Sequence, residues 1–230
     1  MDSRERGAAD QLDALRAAMV TAGRRMGARG LISAGEGNLS IRLPGDRLLV
    51  TPSGLRKDEL APEDLLVVAL DPAVLGAPSD PVPPARRPTS DIAIHRAVHG
   101  RRRDVLAVAH AHPPATLALT LAGERADPAA LPETALLLPR LPFVPFGSPG
   151  STELAERIAE ALAEPPEPGA GAVLLERHGA VAVGVGPDGS DDSARMAALA
   201  QALDRLELVE VLCRSTRDAL LMRAARRTLG

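Results

Sequence analysis

The residues of this chain best suited to chemistry are two histidines spaced two positions apart. His110 and His112 end the apolar run VLAVAHAHPP, residues 105 to 114. Because successive side chains of a strand point to opposite faces, a strand here would place both imidazoles on one side, with Cα atoms roughly 6.5 to 7 Å apart. Two nitrogens at that separation can bind one divalent ion, although two independent half-buried histidines would leave the same pattern.

A third histidine lies in a similar setting further along the chain. In AVLLERHGAVAVG, an apolar run is followed by His178 and Gly179. Three imidazoles with an open fourth position are more typical of a catalytic metal site than of a structural one. The sequence therefore predicts a single divalent metal that His110, His112 and His178 share.

Composition limits the class of protein. The chain has 230 residues, of which 45% are hydrophobic, so we expect one domain over residues 1–230 with a sizeable core. The net charge is −3 and the longest basic run is Arg101 to Arg103, which argues against a nucleic-acid partner. No stretch reaches the roughly 18 apolar residues of a membrane span. The single cysteine, Cys213, favours a reducing compartment, and we expect a cytoplasmic protein.

Two residue types that many enzymes use are scarce or absent. The chain has one lysine, Lys57, against 26 arginines, and its polar segment LRKDEL predicts an exposed side chain. A Schiff-base mechanism needs a lysine with a lowered pKa, so this chain is poorly equipped for one. It also has no tyrosine and no tryptophan, so it supplies no phenolic acid.

Periodicity and turn residues predict alternating helices and strands, and hence a layered α/β domain with a mixed or antiparallel sheet. In chain order we expect a helix over 10–29, a hairpin over 39–50, a strand in LLVVAL, a proline-rich loop over 71–88, a helix capped by Thr89 or Ser90, a strand over 105–111, a helix opened by Pro113 and Pro114, strand and loop over 131–146, a helix capped by Ser151, strands over 172–176 and 180–185, and a long helix from about Ser190.

Four turns carry glycines or hydroxyl groups: GEGN at 35–38, TPSG at 51–54, PTSD at 88–91 and the turn at Gly179. Their backbone N–H groups, together with side-chain donors at Asn38, Ser53, Thr89 and Ser90, would form a cradle for a phosphate. Each turn by itself is equally typical of ordinary turn chemistry, so the hypothesis depends on the four meeting in space.

Three more residues near these motifs have two interpretations each. Asp91 follows Thr89 and Ser90, where an acidic residue favours a helix N-terminus, yet beside a metal it would serve as a general base or a fourth ligand. His95 and His99 lie one helical turn apart, and we expect both to pack in the core or to support the site from behind.

Together these motifs resemble the class II aldolase/adducin family. GEGNLS, TPSG, PTSD, HAHP and ERHG occur in the family's order and at similar spacings over nearly the whole chain. The resemblance implies a three-layer α/β/α sandwich around a mainly antiparallel mixed sheet in a single domain. It also implies Zn²⁺, replaceable by Mn²⁺ or Co²⁺, at His110, His112 and His178, and a cyclic homotetramer with active sites at subunit interfaces.

The resemblance implies an activity as well. A metal-dependent aldolase of this kind cleaves a ketose 1-phosphate, such as L-fuculose-1-phosphate, to dihydroxyacetone phosphate and an aldehyde, with Asp91 as the catalytic residue. The positions that match the family's phosphate site are Gly37, Asn38, Ser53, Gly54, Thr89 and Ser90. The alternatives are an epimerase like L-ribulose-5-phosphate 4-epimerase and a non-catalytic module like adducin, in which the metal histidines are lost.

Two features depart from the family pattern. The tyrosines that relatives use as proton donors have no counterpart, so we expect water or a histidine, His99 foremost, to replace them. Gly35 and Glu36 stand where a threonine and a small residue are common, which removes a hydroxyl and places an acid near the expected anion.

Overall fold

The computed structural model describes residues 3–73, 87–163 and 169–229. Within these ranges the chain forms six α-helices: α1 (Ser3–Ala28), α2 (Ile92–Arg101), α3 (Pro114–Leu121), α4 (Pro132–Leu137), α5 (Thr152–Ala163) and α6 (Asp192–Leu229). The seven strands are β1 (Asn38–Leu43), β2 (Arg47–Val50), β3 (Leu66–Ala69), β4 (Val105–Ala111), β5 (Phe143–Val144), β6 (Ala172–Leu175) and β7 (Gly179–Val185). Short 3-10 turns occupy Pro62–Asp64 and Pro128–Ala130.

All seven strands belong to one sheet, in the order β3-β2-β1-β4-β7-β6-β5. Every neighbouring pair is antiparallel except β5 and β6, which are parallel. The β1–β2 hairpin closes tightly because Gly45 and Asp46 both adopt positive φ angles, 73° and 49°, which suit the twist of a hairpin. Strand β4 lies at the centre of the sheet, with β1 on one side and β7 on the other.

Helices cover both faces of the sheet. On one face α1, α3 and α6 pack over a core that includes Met19, Leu39, Ala109 and Leu203. On the other face α2 and α5 pack over a second core that includes Val108 and Ile158. The three-layer α/β/α sandwich with a mainly antiparallel mixed sheet is therefore confirmed. No helix among the described residues is both long enough and apolar enough to cross a membrane.

Helix α6 fixes the start of helix α3 through one buried carboxylate. The Glu210 side chain, in a residue 4% exposed, accepts hydrogen bonds from the backbone N–H groups of Ala115 and Thr116 at 3.0 Å each, and from the Thr116 hydroxyl at 3.0 Å. The N–H groups of a first helical turn have no intrahelical partner, so this carboxylate supplies a cap that Pro113 lacks. The beginning of α3, two residues after His112, is thereby tied to α6.

Several local predictions were wrong. The segment 131–146 contains helix α4, which Pro132 at its first position and Glu133 in its first turn favour. Helix α2 has Asp91 at its N-cap rather than Thr89 or Ser90, and no side chain caps it. Lys57 is only 2% exposed, because its ammonium turns inward to backbone carbonyls. The predicted proline-rich loop falls largely on residues 74–86, outside the described ranges.

Candidate active site

The sheet brings the three predicted metal ligands together. Asn38 on β1 pairs with His110 on β4, and Ala111 on β4 pairs with Ala180 on β7. The turn before β7, which carries His178, therefore lies beside the end of β4. Gly179 is required there because its φ is +83° and an added Cβ would lie 2.1 Å from the Ala111 carbonyl oxygen.

His110, His112 and His178 form a cluster in which one ligand atom from each lies within 4.8 Å of the others. His112 lies one residue beyond the end of β4, yet its Nε2 is 3.0 Å from Nε2 of His110. Two ligands of a tetrahedral ion with bonds near 2.0 to 2.1 Å lie about 3.3 Å apart, so the pair is close to the required spacing.

The partners of the outer ring nitrogens determine where the lone pairs point. His110 Nδ1 lies 2.9 Å from the Ala180 carbonyl oxygen, which can only accept, so Nδ1 carries the hydrogen of the neutral ring. His112 Nδ1 lies 3.5 Å from Oε1 of Glu36, which likewise favours a hydrogen on Nδ1. Both Nε2 lone pairs then face each other, an arrangement that a cation between them would stabilise.

His178 adds a third donor of the same kind. Its Nδ1 is buried and has no hydrogen-bond partner among the described residues. Burial, together with the neighbouring His112, lowers the pKa of His178, and burial with both neighbouring histidines lowers the pKa of His110 well below its usual value. Neutral imidazoles are the form that binds metal, so these residues fit a divalent ion.

Asp91 is the carboxylate next to this cluster. Its Oδ2 lies 4.0 Å from His110 Nε2, and the residue is 8% exposed. The same oxygen accepts a hydrogen bond of 2.9 Å from the Asn38 amide nitrogen. Asp91 therefore lies close enough to contact a molecule bound at the three histidines. The hydrogen bond from Asn38 on β1 fixes the orientation of its carboxylate.

A buried chain of hydrogen bonds runs from Asn38 away from the histidine cluster. Asn38 Oδ1 lies 2.7 Å from His95 Nε2, and the Ser40 hydroxyl lies 2.7 Å from His95 Nδ1 and 2.9 Å from His99 Nε2. The chain ends where His99 Nδ1 lies 3.1 Å from the carbonyl oxygen of Val105. His95, His99 and Ser40 are each 0% exposed.

The hydrogens of this chain can be assigned from its two ends. The Val105 carbonyl requires a hydrogen on His99 Nδ1, which leaves His99 Nε2 as an acceptor. With the Asn38 nitrogen on Asp91, Asn38 Oδ1 requires a hydrogen on His95 Nε2, which leaves His95 Nδ1 as an acceptor too. Ser40, with one hydrogen, therefore serves two acceptors.

These contacts show where His95 and His99 of helix α2 lie relative to the site. Both lie in the core behind the site, as expected. His99 cannot replace the missing tyrosine, because both of its nitrogens are occupied inside the protein and burial lowers its pKa well below the usual value. Sequence reasoning missed Ser40, whose only signal is a hydroxyl within the alternating strand NLSIRL.

Three of the four glycine and hydroxyl turns meet beside the cluster. A Cβ added to Gly35 would lie 3.8 Å from the Gly54 carbonyl carbon, so the 35–38 and 51–54 turns are in contact. The Thr89 N–H donates to the Thr51 carbonyl at 3.1 Å, which joins the 88–91 turn to them. The six positions that match a phosphate site divide by exposure: Ser53, Gly54 and Ser90 are exposed, whereas Gly37, Asn38 and Thr89 are buried.

Glu36, the acid in the first of these turns, is directed to one side. Its Oε2 accepts from the Ser33 N–H at 3.2 Å, while Oε1 approaches His112. Gly37 then seats the turn against β4, since a Cβ there would lie 3.0 Å from the His110 carbonyl oxygen and 2.6 Å from Ile32 Cγ2. The carboxylate of Glu36 is thus engaged with a candidate metal ligand.

Comparison with known proteins gives a consistent result. The model of the family described as Class II Aldolase and Adducin N-terminal domain matches residues 17–216. The crystal structure of L-fuculose-1-phosphate aldolase from Thermus thermophilus superposes with a TM-score of 0.75 at 32% identity, covering 92% of this chain and 96% of that one.

Two curated relatives carry other activities in their names. A methylthioribulose-1-phosphate dehydratase of Acidiphilium cryptum is 34% identical over 179 residues, 72% of this chain and 78% of its own length. A 3-oxo-tetronate 4-phosphate decarboxylase of Haemophilus influenzae is 29% identical over 170 residues, 72% of this chain and 75% of its own. The names of these similar proteins thus state three different reactions.

The first prediction concerns metal content. Wild-type protein should retain about one divalent ion per chain after exhaustive dialysis, and His178→Ala should lose it, because three neutral imidazoles are the donors. Elemental analysis measures this directly. His99→Gln is the matched control and should keep its metal, since His99 lies behind the site. Wild-type protein without stoichiometric metal would contradict the assignment.

The second prediction concerns acid sensitivity. Burial lowers the pKa of His95 to about 4, whereas an unfolded histidine titrates near 6.5, so its contribution is complete above about pH 6.5 and is lost as the pH falls toward 4. At pH 5 this one residue should reduce the free energy of unfolding of chelator-treated protein by about 2 kcal/mol. Urea unfolding between pH 7.5 and 5 measures the loss.

The variant His95→Gln removes the titrating group and serves as the comparison for this profile. Its free energy of unfolding should fall less steeply over the same range, although it starts from a lower value because a buried bond has changed. Identical slopes for the two proteins would show that His95 is not buried in its neutral form.

Proposed function

The chain belongs to the class II aldolase and adducin family, and on that premise we propose that it is a metal-dependent lyase that cleaves a carbon–carbon bond of a phosphorylated ketose. The observation that carries the proposal is the Asp91 carboxylate 4.0 Å from His110 in a cluster of three histidines. The substrate we favour is a ketose 1-phosphate like L-fuculose-1-phosphate, and the products are dihydroxyacetone phosphate and an aldehyde.

His110, His112 and His178 would hold the metal in this proposal. A bound divalent ion supplies Lewis acidity, which stabilises negative charge on the carbonyl and hydroxyl oxygens of the substrate. Zinc suits three imidazoles, and manganese or cobalt can take its place. The Ala180 carbonyl and Glu36 orient the rings of His110 and His112, so the lone pairs are directed before the ion arrives.

Asp91 is the group that moves the proton. Breaking the carbon–carbon bond requires a base to take a proton from the neighbouring hydroxyl, and the carbon left with the bonding electrons must then gain one. One carboxylate can do both, because the proton it accepts in the first step is the proton it returns in the second. Asn38, whose amide donates to Oδ2 of Asp91, keeps the carboxylate in place between the two steps.

The phosphate of the substrate is assigned to the three adjoining turns. Ser53, Gly54 and Ser90 are exposed and can contact a ligand directly. Gly37, Asn38 and Thr89 are buried, and their part in the proposal is to shape the turns: the Thr89 hydroxyl, for example, accepts from the Asp91 N–H at 3.3 Å. The ligand is thus a small molecule that places its carbonyl at the histidines and its phosphate at the turns.

A relative that matches over nearly its whole length favours an aldolase over the other reactions named for relatives: the L-fuculose-1-phosphate aldolase of Thermus thermophilus is 32% identical and is covered to 96%. In a retro-aldol cleavage Asp91 would take the proton from the hydroxyl of one fragment and return it to the carbon of the other. This chain contains no tyrosine to act as a further proton donor, and His99 is occupied in the core, so water is left for that part.

Product analysis tests the proposal. Metal-loaded protein is incubated with L-fuculose-1-phosphate, L-ribulose-5-phosphate and methylthioribulose-1-phosphate in turn. Dihydroxyacetone phosphate is the expected product from the first. Inversion of the second sugar without release of a fragment would indicate an epimerase, and loss of water from the third would indicate a dehydratase. Absence of turnover on a wide panel of sugar phosphates would point to a non-catalytic module.

The third prediction concerns Asp91→Asn. The substituted amide can still accept from Asn38 but cannot take up and return a proton, so kcat should fall by about 10²-fold or more while metal content stays near normal. Steady-state kinetics with elemental analysis of the same preparation measures both. Asp46→Asn, an exposed carboxylate in the β1–β2 turn, is the control and should leave kcat unchanged. Loss of metal in Asp91→Asn would make Asp91 a ligand instead.

The fourth prediction is a homotetramer. The second half of α6 leaves three large apolar side chains substantially exposed, with Val211 at 50%, Leu221 at 62% and Met222 at 66%. Exposed apolar surface on one element supports association with another subunit. Light scattering at micromolar concentration should give four times the mass of the chain, and Leu221→Lys with Met222→Lys should reduce it. A monomeric wild-type protein would contradict this prediction.

A further inference from the structure

The single lysine of the chain is buried between two of the candidate phosphate turns. Lys57 is 2% exposed, and its Nζ donates to the carbonyl oxygens of Gly35 at 2.7 Å and Leu55 at 2.6 Å. Gly35 begins the 35–38 turn, and Leu55 directly follows the 51–54 turn. The ammonium therefore lies where these two turns come together.

The charge of this ammonium is not balanced by a close acid. Within residues 3–73, 87–163 and 169–229, no carboxylate forms an ion pair with Lys57. Its two partners are neutral carbonyls, and an ammonium has three hydrogens to donate. Asp91 acts on it only as a nearby negative charge, and burial lowers the pKa of Lys57. Burying a cation without a counter-ion is unfavourable, so native proteins pair such groups.

Neighbouring charged residues do not meet this need. The two acids that follow Lys57 are already paired with the exposed Arg56, Asp58 at 2.8 Å and Glu59 at 2.7 Å. Glu36, the acid nearest in sequence to Gly35, is turned toward Ser33 and His112. If a lysine were needed only to join two carbonyls, a neutral amide would do so without the cost of a buried charge.

We propose that Lys57 is the counter-charge of the phosphate subsite, so that the doubly negative phosphate of the substrate completes the pairing of a cation held between the 35–38 and 51–54 turns. This inference rests on the proposed function for the identity of the substrate, but it concerns anion binding alone. It makes Lys57 a residue that determines specificity for phosphorylated over neutral sugars.

Inorganic phosphate is the probe for this proposal. Calorimetric titration compares the wild type with Lys57→Met, Lys57→Gln and Arg56→Met at one ionic strength. Loss of a buried charged partner should weaken phosphate binding by about tenfold or more in both Lys57 variants. Arg56→Met removes an adjacent but paired cation and should bind as the wild type does. Glutamine separates charge from geometry, because its amide can still donate to carbonyls.

A second measurement needs no substitution. Since Lys57 is the only lysine, protein labelled with ¹³C,¹⁵N-lysine gives one set of side-chain resonances, and phosphate should shift the Cε and Nζ signals in step with the calorimetric binding curve. Unchanged resonances, unchanged affinity in Lys57→Met, or full affinity in Lys57→Gln would each overturn the proposal. Phosphate binding that depends on Lys57 in a protein that cleaves no sugar phosphate would support this site and refute the proposed function. Cleavage of a sugar phosphate with a KM that Lys57→Met leaves unchanged would support the proposed function and refute this site.

Discussion

The antiparallel pairing of β4 with a strand on each side is the constraint on which the site depends. The register with β1 sets Asn38 opposite His110, and the register with β7 brings the turn that carries His178 to the end of the strand that precedes His112. A shift of one residue in either pairing would move alternate side chains to the other face of the sheet and separate these groups. Gly37 and Gly179 permit the close approach of the two flanking segments, where a Cβ would collide with carbonyl oxygens of β4.

Behind the site, polar groups replace apolar packing on one side of β1. The side chains of Asn38 and Ser40 extend to the same face, where they meet His95 and His99 of α2. Buried polar groups of this kind stabilise a fold only when they are hydrogen-bonded, and a group left without a partner costs about 1 to 3 kcal/mol. In this network each polar side chain has a partner, and His95 Nδ1 and His99 Nε2 share the single hydrogen of Ser40. This arrangement fixes the Asn38 amide and, through it, Asp91.

Sequence reasoning recovered the layered fold, most strand bounds and the histidine cluster, because periodicity and glycine turns are local features. It failed where a contact with a distant segment decides the outcome. Lys57 looked exposed in a polar stretch, yet the nearby turn at Gly35 offers its ammonium a buried carbonyl. Asp91 stands at the N-cap of α2 without capping it, since Asn38, 53 positions earlier, takes its carboxylate. The role of Ser40 likewise depends on two histidines more than fifty residues away.

Glu210 connects helix α6 to the histidine cluster through the start of helix α3. One turn of this helix holds the first amides of α3 on its inner side, and the next residue, Val211, faces outward with half of its surface exposed. Only Pro113 and Pro114, two stiff residues, separate the tethered amide of Ala115 from His112. A displacement of α6 at Glu210 would therefore move the start of α3 and, through the two prolines, His112. Docking of a neighbouring molecule on this helix would therefore act on the position of His112 without touching any of the three histidines.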